Sequence, residues 1–385
     1  MGGETDPLVR RAQVWIEHSN PIGSIAASLG EGPFEIVWLF ISARADFDAL
    51  AAEAHARLTA KHVVACTTAG EIGEAGYEDD QIVALALPQT NFRVSAYAID
   101  DLTRFNRQAE TDRLITARIA LTETARDFPH PFAFLLVDGL SQREDVLTAV
   151  LASGLGGMPL FGGSSGDGIR FKQTRISLDG QIMDSAAVVS LVASRGPVEV
   201  FSLNHLHPTG TKMVVTDADP AHRIVRQINA EPAAAEYARL VGKAPGELDQ
   251  FTFAAHPVVV QLGGRHHVRA IQQVSEDGSL IFFSAIDEGM VLTLAESEDM
   301  ASHLDRELSQ LAVQQAPEAV LSCDCILRRL EAGQKQQMRD VSAILAEHKA
   351  IGFGTYGEQH GALHVNHTMT GVAFYAPQPT PAEHS

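Results

Sequence analysis

Apolar positions in this chain come in two textures that alternate. Short solid runs of Val, Ile, Leu and Phe occupy residues 35–42, 62–66, 132–137, 158–161, 319–323 and 350–353. Longer Ala/Leu stretches with helical spacing occupy 47–60, 144–154 and 338–348. Solid runs of this length predict strands, and the longer periodic stretches predict helices. Paired in order, they give the same unit three times: strand, helix, strand. A further strand is expected after each unit, at 81–87, 185–192 and 370–375.

A short phrase closes each unit. It reads Thr67-Thr68-Ala69-Gly70-Glu71, then Gly163-Ser164-Ser165-Gly166-Asp167, then Gly354-Thr355-Tyr356-Gly357-Glu358. The repeat predicts an α/β fold of mixed sheets flanked by helices. Each strand–helix–strand unit implies a parallel pair with a crossover helix. The phrase then lies at the carboxyl end of the second strand, where open α/β sheets tend to bind ligands. Thr68, Glu71, Ser164, Asp167, Thr355 and Glu358 are therefore either turn residues that bond nearby amides or contacts to a ligand.

Between the second and third units runs a segment of another texture, from residue 205 to about 313. It predicts a helix over 223–240, started by Asp219-Pro220. Strands follow over 257–262, 267–274 and 280–286. Ser275-Glu276-Asp277-Gly278 marks a hairpin between the last two. The expected organisation is a leading segment 1–29, a domain 30–203, a domain 204–376 and a frayed tail 377–385.

Charge narrows the partners. The 385 residues hold 29 Lys and Arg against 48 Asp and Glu, a net of −19. Phosphate backbones and anionic leaflets need a positive field, so nucleic acid and membrane surfaces are disfavoured. No apolar stretch reaches the length needed to span a bilayer. Without a basic, apolar leader, and with three cysteines, the chain reads as cytoplasmic.

Catalytic signals are weak. Gly162-Gly163-Ser164-Ser165-Gly166 matches G-x-S-x-G, but the residues after it look extended, where a nucleophile elbow requires a helix. The chain is expected not to be an enzyme. Cys323 and Cys325 share a strand face and Cys66 lies in the equivalent strand of another unit, so the three are either a partial metal site or buried thiols. His360, His364 and His367 fall in a loop and strand edge and read as polar residues there.

Together the three phrases resemble the signatures of FIST-domain proteins, with an N-terminal and a C-terminal FIST domain. Phe253-Ala254-Ala255-His256-Pro257, Ala285-Ile286-Asp287-Glu288-Gly289, Asp324 to Glu331 and His364-Val365-Asn366-His367-Thr368 are similar to the bacterial nitric-oxide-sensing branch of that family. That resemblance implies a signal sensor with a b-type haem held by histidine. It also implies nitric oxide as the signal and a histidine kinase or cyclic-di-GMP circuit as partner, and leaves a homodimer open. His205, at the junction of the two expected domains, is the first choice of axial ligand, with His256 second and His207 third. The alternative is a FIST sensor of a small metabolite, such as an amino acid, without haem.

Overall fold

The computed structural model describes residues 7–377 except Gly263, and not the side chains of Leu262 and Arg265. The predicted tail beyond residue 377 lies outside the described residues.

Unit 1 comprises β1 (Arg10–Trp15), α1 (Pro21–Leu29), β2 (Phe34–Ser42), α2 (Phe47–Arg57), β3 (Ala60–Thr68), the hairpin β4 (Glu71–Gly73) and β5 (Gly76–Glu78), and β6 (Gln81–Pro88). Unit 2 repeats the order with β7 (Phe92–Ile99), α3 (Arg107–Thr124), β8 (His130–Val137), α4 (Glu144–Leu155), β9 (Leu160–Ser164), β10 (Ile176–Leu178), β11 (Gln181–Met183) and β12 (Ala187–Ser194). Unit 3 opens with β13 (Val198–Leu203) and is then interrupted by an inserted module. The module holds β14 (Leu206–Asp219), β15 (Ile224–Ile228), β16 (Glu231–Pro232), α5 (Ala233–Leu240), α6 (Gln250–Ala255), β17 (Val258–Leu262), β18 (Arg265–Val268), β19 (Ile271–Val274), β20 (Leu280–Phe282) and β21 (Val291–Ser297). Unit 3 then resumes with α7 (Met300–Leu311), β22 (Ala319–Cys325), α8 (Ile326–Gln334), α9 (Met338–Glu347), β23 (Ala350–Thr355), β24 (Glu358–His360), β25 (Leu363–Val365) and β26 (Met369–Phe374).

Each unit builds the same four strands: an edge strand, the strand after the hairpin, and the parallel pair, as in β1-β6-β2-β3. The hairpin does not stay at home. The unit 1 hairpin joins the unit 3 sheet beside β23, that of unit 2 joins β3, and that of unit 3 joins β9. The three units thus exchange hairpins in a closed ring. Arg10–Trp15, in the stretch read as a leading segment, is the edge strand of unit 1.

The ring explains the solid apolar runs. Every residue of Phe34–Ser42 is buried, because one sheet face meets the shared centre and the other meets its own helices. In the centre Phe40 stacks on Phe353 at 4.5 Å and Phe134 on Phe161 at 4.8 Å. Separate apolar layers lie under α1 and α2, under α3 and α4, and under α7 and α9.

The module departs from the sequence expectation in more than one place, and the expected strand 280–286 is only Leu280–Phe282. Residues 223–240 are not one helix. Residues 224–228 pair with β14 and β20 as a strand, and only Ala233–Leu240 is helical. Arg223, Asn229 and Ala230 adopt φ of 57°, 53° and 63°, which a helix cannot accommodate, and the β-branched Ile224, Val225 and Ile228 favour the strand. The Asp219-Pro220 signal starts a turn instead. The predicted strand 267–274 is broken at Arg269-Ala270, where the chain leaves β17 for β20: Arg269 donates to Val258 O at 2.9 Å, and Ala270 O accepts from Phe283 N at 2.9 Å. The Ser275–Gly278 hairpin forms, with Gly278 at φ 80°.

Among the described residues no helix is long and apolar enough to cross a membrane.

Candidate functional site

The three phrases meet at the centre of the ring and bond to one another. Ala69 N donates to Gly354 O at 2.9 Å, Gly166 N to Thr67 O at 3.1 Å, and Tyr356 N to Ser164 O at 3.2 Å. In units 1 and 3 the hydroxyl and acid of the phrase pair directly, Thr68 with Glu71 and Thr355 with Glu358. Glu71 also accepts from Gln81 N, and Glu358 from the Thr368 hydroxyl at 2.6 Å. Burial pushes these carboxyls up, Glu71 to about 7 and Glu358 to about 8. Unit 2 differs. The shorter Asp167 accepts from the amides of Phe171, Lys172 and Gln173 at 2.7–3.0 Å and from the Tyr356 hydroxyl. Ser164 Oγ accepts from Gln359 Nε2 at 3.0 Å. Ser164 ends a strand that a loop follows, so the sharp strand-to-helix turn of a nucleophile elbow is not formed. Ser164 and Asp167 thus reach across to Gln359 and Tyr356 of unit 3, whereas the side chains of Thr68, Glu71, Thr355 and Glu358 bond within their own units. Thr68 and Asp167 also border a cleft of about 620 Å³ between units 1 and 2.

His205 is fully buried at the neck of the module, where His205 O accepts from Glu298 N at 3.0 Å. Its Nε2 lies 2.9 Å from Glu331 Oε2, and its Nδ1 lies 2.9 Å from Arg328 Nη1. His367 Nε2 reaches the same Glu331 oxygen at 2.8 Å. Arg328 Nε donates to Asp324 Oδ1 at 2.6 Å, and Tyr77 from the unit 1 hairpin donates to Asp324 Oδ2. Lys335 Nζ stands 2.8 Å from Glu331 Oε1, out of line for a hydrogen bond. His205, Glu331 and His367 have the residue types of a metal centre, with ligand atoms within 4.8 Å of one another. The neighbours speak against one. Arg328 has donors only, so His205 Nδ1 must accept and the proton must sit on Nε2. The Glu331 and Asp324 charges are matched by Arg328 and Lys335, leaving no negative charge for a cation. A porphyrin iron meets the same obstacle, since neither ring nitrogen of His205 has a free lone pair. The residues as arranged do not fit a haem at His205.

The other expected haem ligands lie apart. His256 caps α6 and its carbonyl accepts from Tyr237 OH at 2.6 Å. His207 is exposed, 3.7 Å from Glu298. The thiols of Cys66, Cys323 and Cys325 are buried and free of disulfides, and burial pushes all three up.

A second buried polar cluster, which the sequence does not assemble, lies where the module rests on units 2 and 3. Gln359 Nε2 donates to His364 Nδ1 at 3.2 Å, which leaves the His364 proton on Nε2. That Nε2, Gln359 Oε1, Asn366 Oδ1, Ser284 Oγ and Arg269 Nε have no hydrogen-bond partner among the described residues. All five side chains are at least nine-tenths buried. Arg269 forms no ion pair among the described residues; its one side-chain bond goes to Val268 O at 3.2 Å. The nearby carboxylates are engaged elsewhere: Arg223 Nη2 takes Glu144 at 2.6 Å and Asp145 at 2.9 Å, and Ala285 N takes Asp145 at 3.1 Å. These four charged groups all act on His364, whose affinity for a proton is lowered first by burial. Gly357 makes the cluster possible, since a β-carbon there would stand 2.3 Å from His364 Cε1 and 2.7 Å from Asn366 Nδ2. Phe171, Phe283 and Tyr356 pack beside it, with ring centroids 4.7–6.0 Å apart. His364 and Asn366 lie in the His364–Thr368 stretch that resembles the sensing branch, but neither periodicity nor a motif joins them to Arg269 and Ser284, because the partners come from three separate stretches of chain.

Comparison with known proteins places the ring. The FIST N domain matches residues 35–231 and the FIST C domain residues 233–360. The chain belongs to the FIST family. FIST domains are sensory domains of signal transduction. No curated protein matches the chain. Among solved structures, a chorismatase crystal structure matches 96% of this FIST chain and 99% of its own, at 10% identity and a TM-score of 0.37. At that score the likeness carries no argument about fold or activity.

Proposed function

We propose that this FIST protein senses a small molecule that carries both a carboxylate and an amino or hydroxyl group, as an amino acid does. The unpartnered atoms of the second cluster support this reading. Arg269 Nε–H, His364 Nε2–H and Ser284 Oγ–H are donors that suit a carboxylate, and Gln359 Oε1 and Asn366 Oδ1 are acceptors that suit an ammonium or hydroxyl group. Leaving such groups buried and unpaired costs about 1–3 kcal/mol each, a cost that a complementary ligand would remove. The place also suits a signal. The module is tied to the ring by a two-strand neck and by Arg223 on α4, so a ligand held between them would favour one relative position. A thermal-shift screen of amino acids and matching 2-hydroxy acids tests the reading. At least one is expected to raise the melting temperature in proportion to concentration, and a flat response across both sets would refute it.

The finer reading, a b-type haem sensor of nitric oxide upstream of a histidine kinase or cyclic-di-GMP enzyme, is supported by the sequence resemblance alone. It requires an axial histidine other than His205 as arranged, or release of Arg328 or Glu331 from that ring. Haem titration tests it: a Soret band lost in His256→Ala and kept in His205→Ala would favour His256.

A further inference from the structure

Five ionisable side chains of the neck, His205, Asp324, Arg328, Glu331 and His367, are each no more than 2% exposed. Burying so many in one network is costly, and apolar packing would stabilise a fixed joint as well or better. The network therefore calls for an explanation beyond stability. Its members come from unit 1, unit 3 and the module: Tyr77 from the unit 1 hairpin, Asp324 from β22, Arg328 and Glu331 from α8, His367 from the loop before β26, and His205 from the first residue of the module's neck. His367 holds φ at 55°, a strained left-handed setting for a non-glycine residue that places its ring on Glu331.

We infer that His205 is a positioning residue, a single-tautomer clamp that fixes the seated position of the inserted module on α8. The imidazole accepts from Arg328 at Nδ1 and donates to Glu331 from Nε2, so it joins two groups one helical turn apart on α8 and cannot rotate without breaking both bonds. The neck strands follow at once: Leu206 pairs with Ser297, and Glu298 N closes on His205 O. An apolar seam runs on from there. Leu206, Ala254 on α6, Ile326 and Leu327 on α8, and Tyr356 and Phe283 form one cluster that reaches the ring residues beside Gln359 and His364. The clamp thus sets how the module lies over the polar cluster, and it rests on the ligand-sensing reading only for what the seated position serves.

The clamp is tested without ligand, so its failure is separate from failure of that reading. Nitrogen-15 spectra of the full chain report the tautomer of His205. The expected pattern is a protonated Nε2 and an unprotonated Nδ1, unchanged by added zinc. A protonated Nδ1, or loss of the pattern on adding zinc, overturns the clamp even if no variant folds. Hydrogen exchange then compares His205→Gln and His205→Phe. His205→Phe is expected to speed exchange across 206–214 and 291–297 by tenfold or more, with 34–42 and 130–137 unchanged. His205→Gln, which can still accept at one end and donate at the other, is expected to restore most of the protection. Equal exchange in all three proteins, or a rise spread evenly over the ring, overturns it.

Discussion

Arg328 donates to His205 Nδ1 across 2.9 Å, and this one bond decides which nitrogen of the ring keeps its proton. Burial then holds His205 neutral, its pKa lowered to about 3, against the opposing pull of its bond to Glu331. In the unfolded chain it returns to about 6.5. A depressed folded value means that the unfolded state binds the extra proton first. The stability linked to His205 is therefore complete above about pH 6.5 and falls as pH drops toward 3. Urea midpoints measured from pH 7 to pH 4 should fall more steeply in wild type than in His205→Gln.

Glu358 gives the opposite slope. Its folded pKa is raised to about 8 by burial, so the folded state keeps a proton that the unfolded state has already lost. Stability is complete below about pH 4.3 and falls by about 1.4 kcal/mol per pH unit as pH rises toward 8. Glu71, raised to about 7, adds the same trend over a shorter window. Chemical denaturation of Glu358→Gln between pH 5 and 9 should show a flatter profile than wild type.

Arg223 is the second tie between module and ring. Replacing it with Met leaves Glu144 and Asp145 without their guanidinium, one of them fully inside. Removing one partner of a buried ion pair costs about 3–5 kcal/mol. Limited proteolysis of Arg223→Met should cut within 206–297 first, while wild type should resist at the same protease concentration.

Gly357 has no room for a side chain. Gly357→Ala should push His364 and Asn366 apart, at about 1–3 kcal/mol of stability by overpacking. A urea titration gives the stability loss, and the thermal-shift response to the ligands should vanish in the same protein.

Local pattern carried most of the ring into view. The runs at 35–42, 132–137 and 319–323 are legible as strands because both of their faces are buried, and the phrases are legible because a similar short sequence recurs at the end of each parallel pair. The exchange of hairpins was not legible. Glu71–Gly73, Ile176–Leu178 and Glu358–His360 are three-residue strands whose partners lie in another unit. Such short pieces have no period to read, and nothing local names a distant partner. The 223–240 expectation failed because Asp219-Pro220 signals a helix start and a turn equally well, and tertiary pairing with β14 decided between them. His205 stood out by its place at the junction, but its partners Arg328, Glu331 and His367 lie more than a hundred residues away. His364 looked like an ordinary polar residue, since Arg269 and Ser284, which like it keep a buried atom without a partner among the described residues, stand 95 and 80 residues earlier in the chain.

The central claim is that Arg269 and His364 hold the carboxylate of the sensed molecule. Isothermal titration of the best thermal-shift ligand into wild type and into Arg269→Met tests it most directly. Loss of a charge-assisted bond to a buried partner costs about 2–5 kcal/mol, so the variant should bind at least about 30-fold more weakly. It should still fold, with the strand and helix content of wild type. Equal affinity in the two proteins would contradict the account.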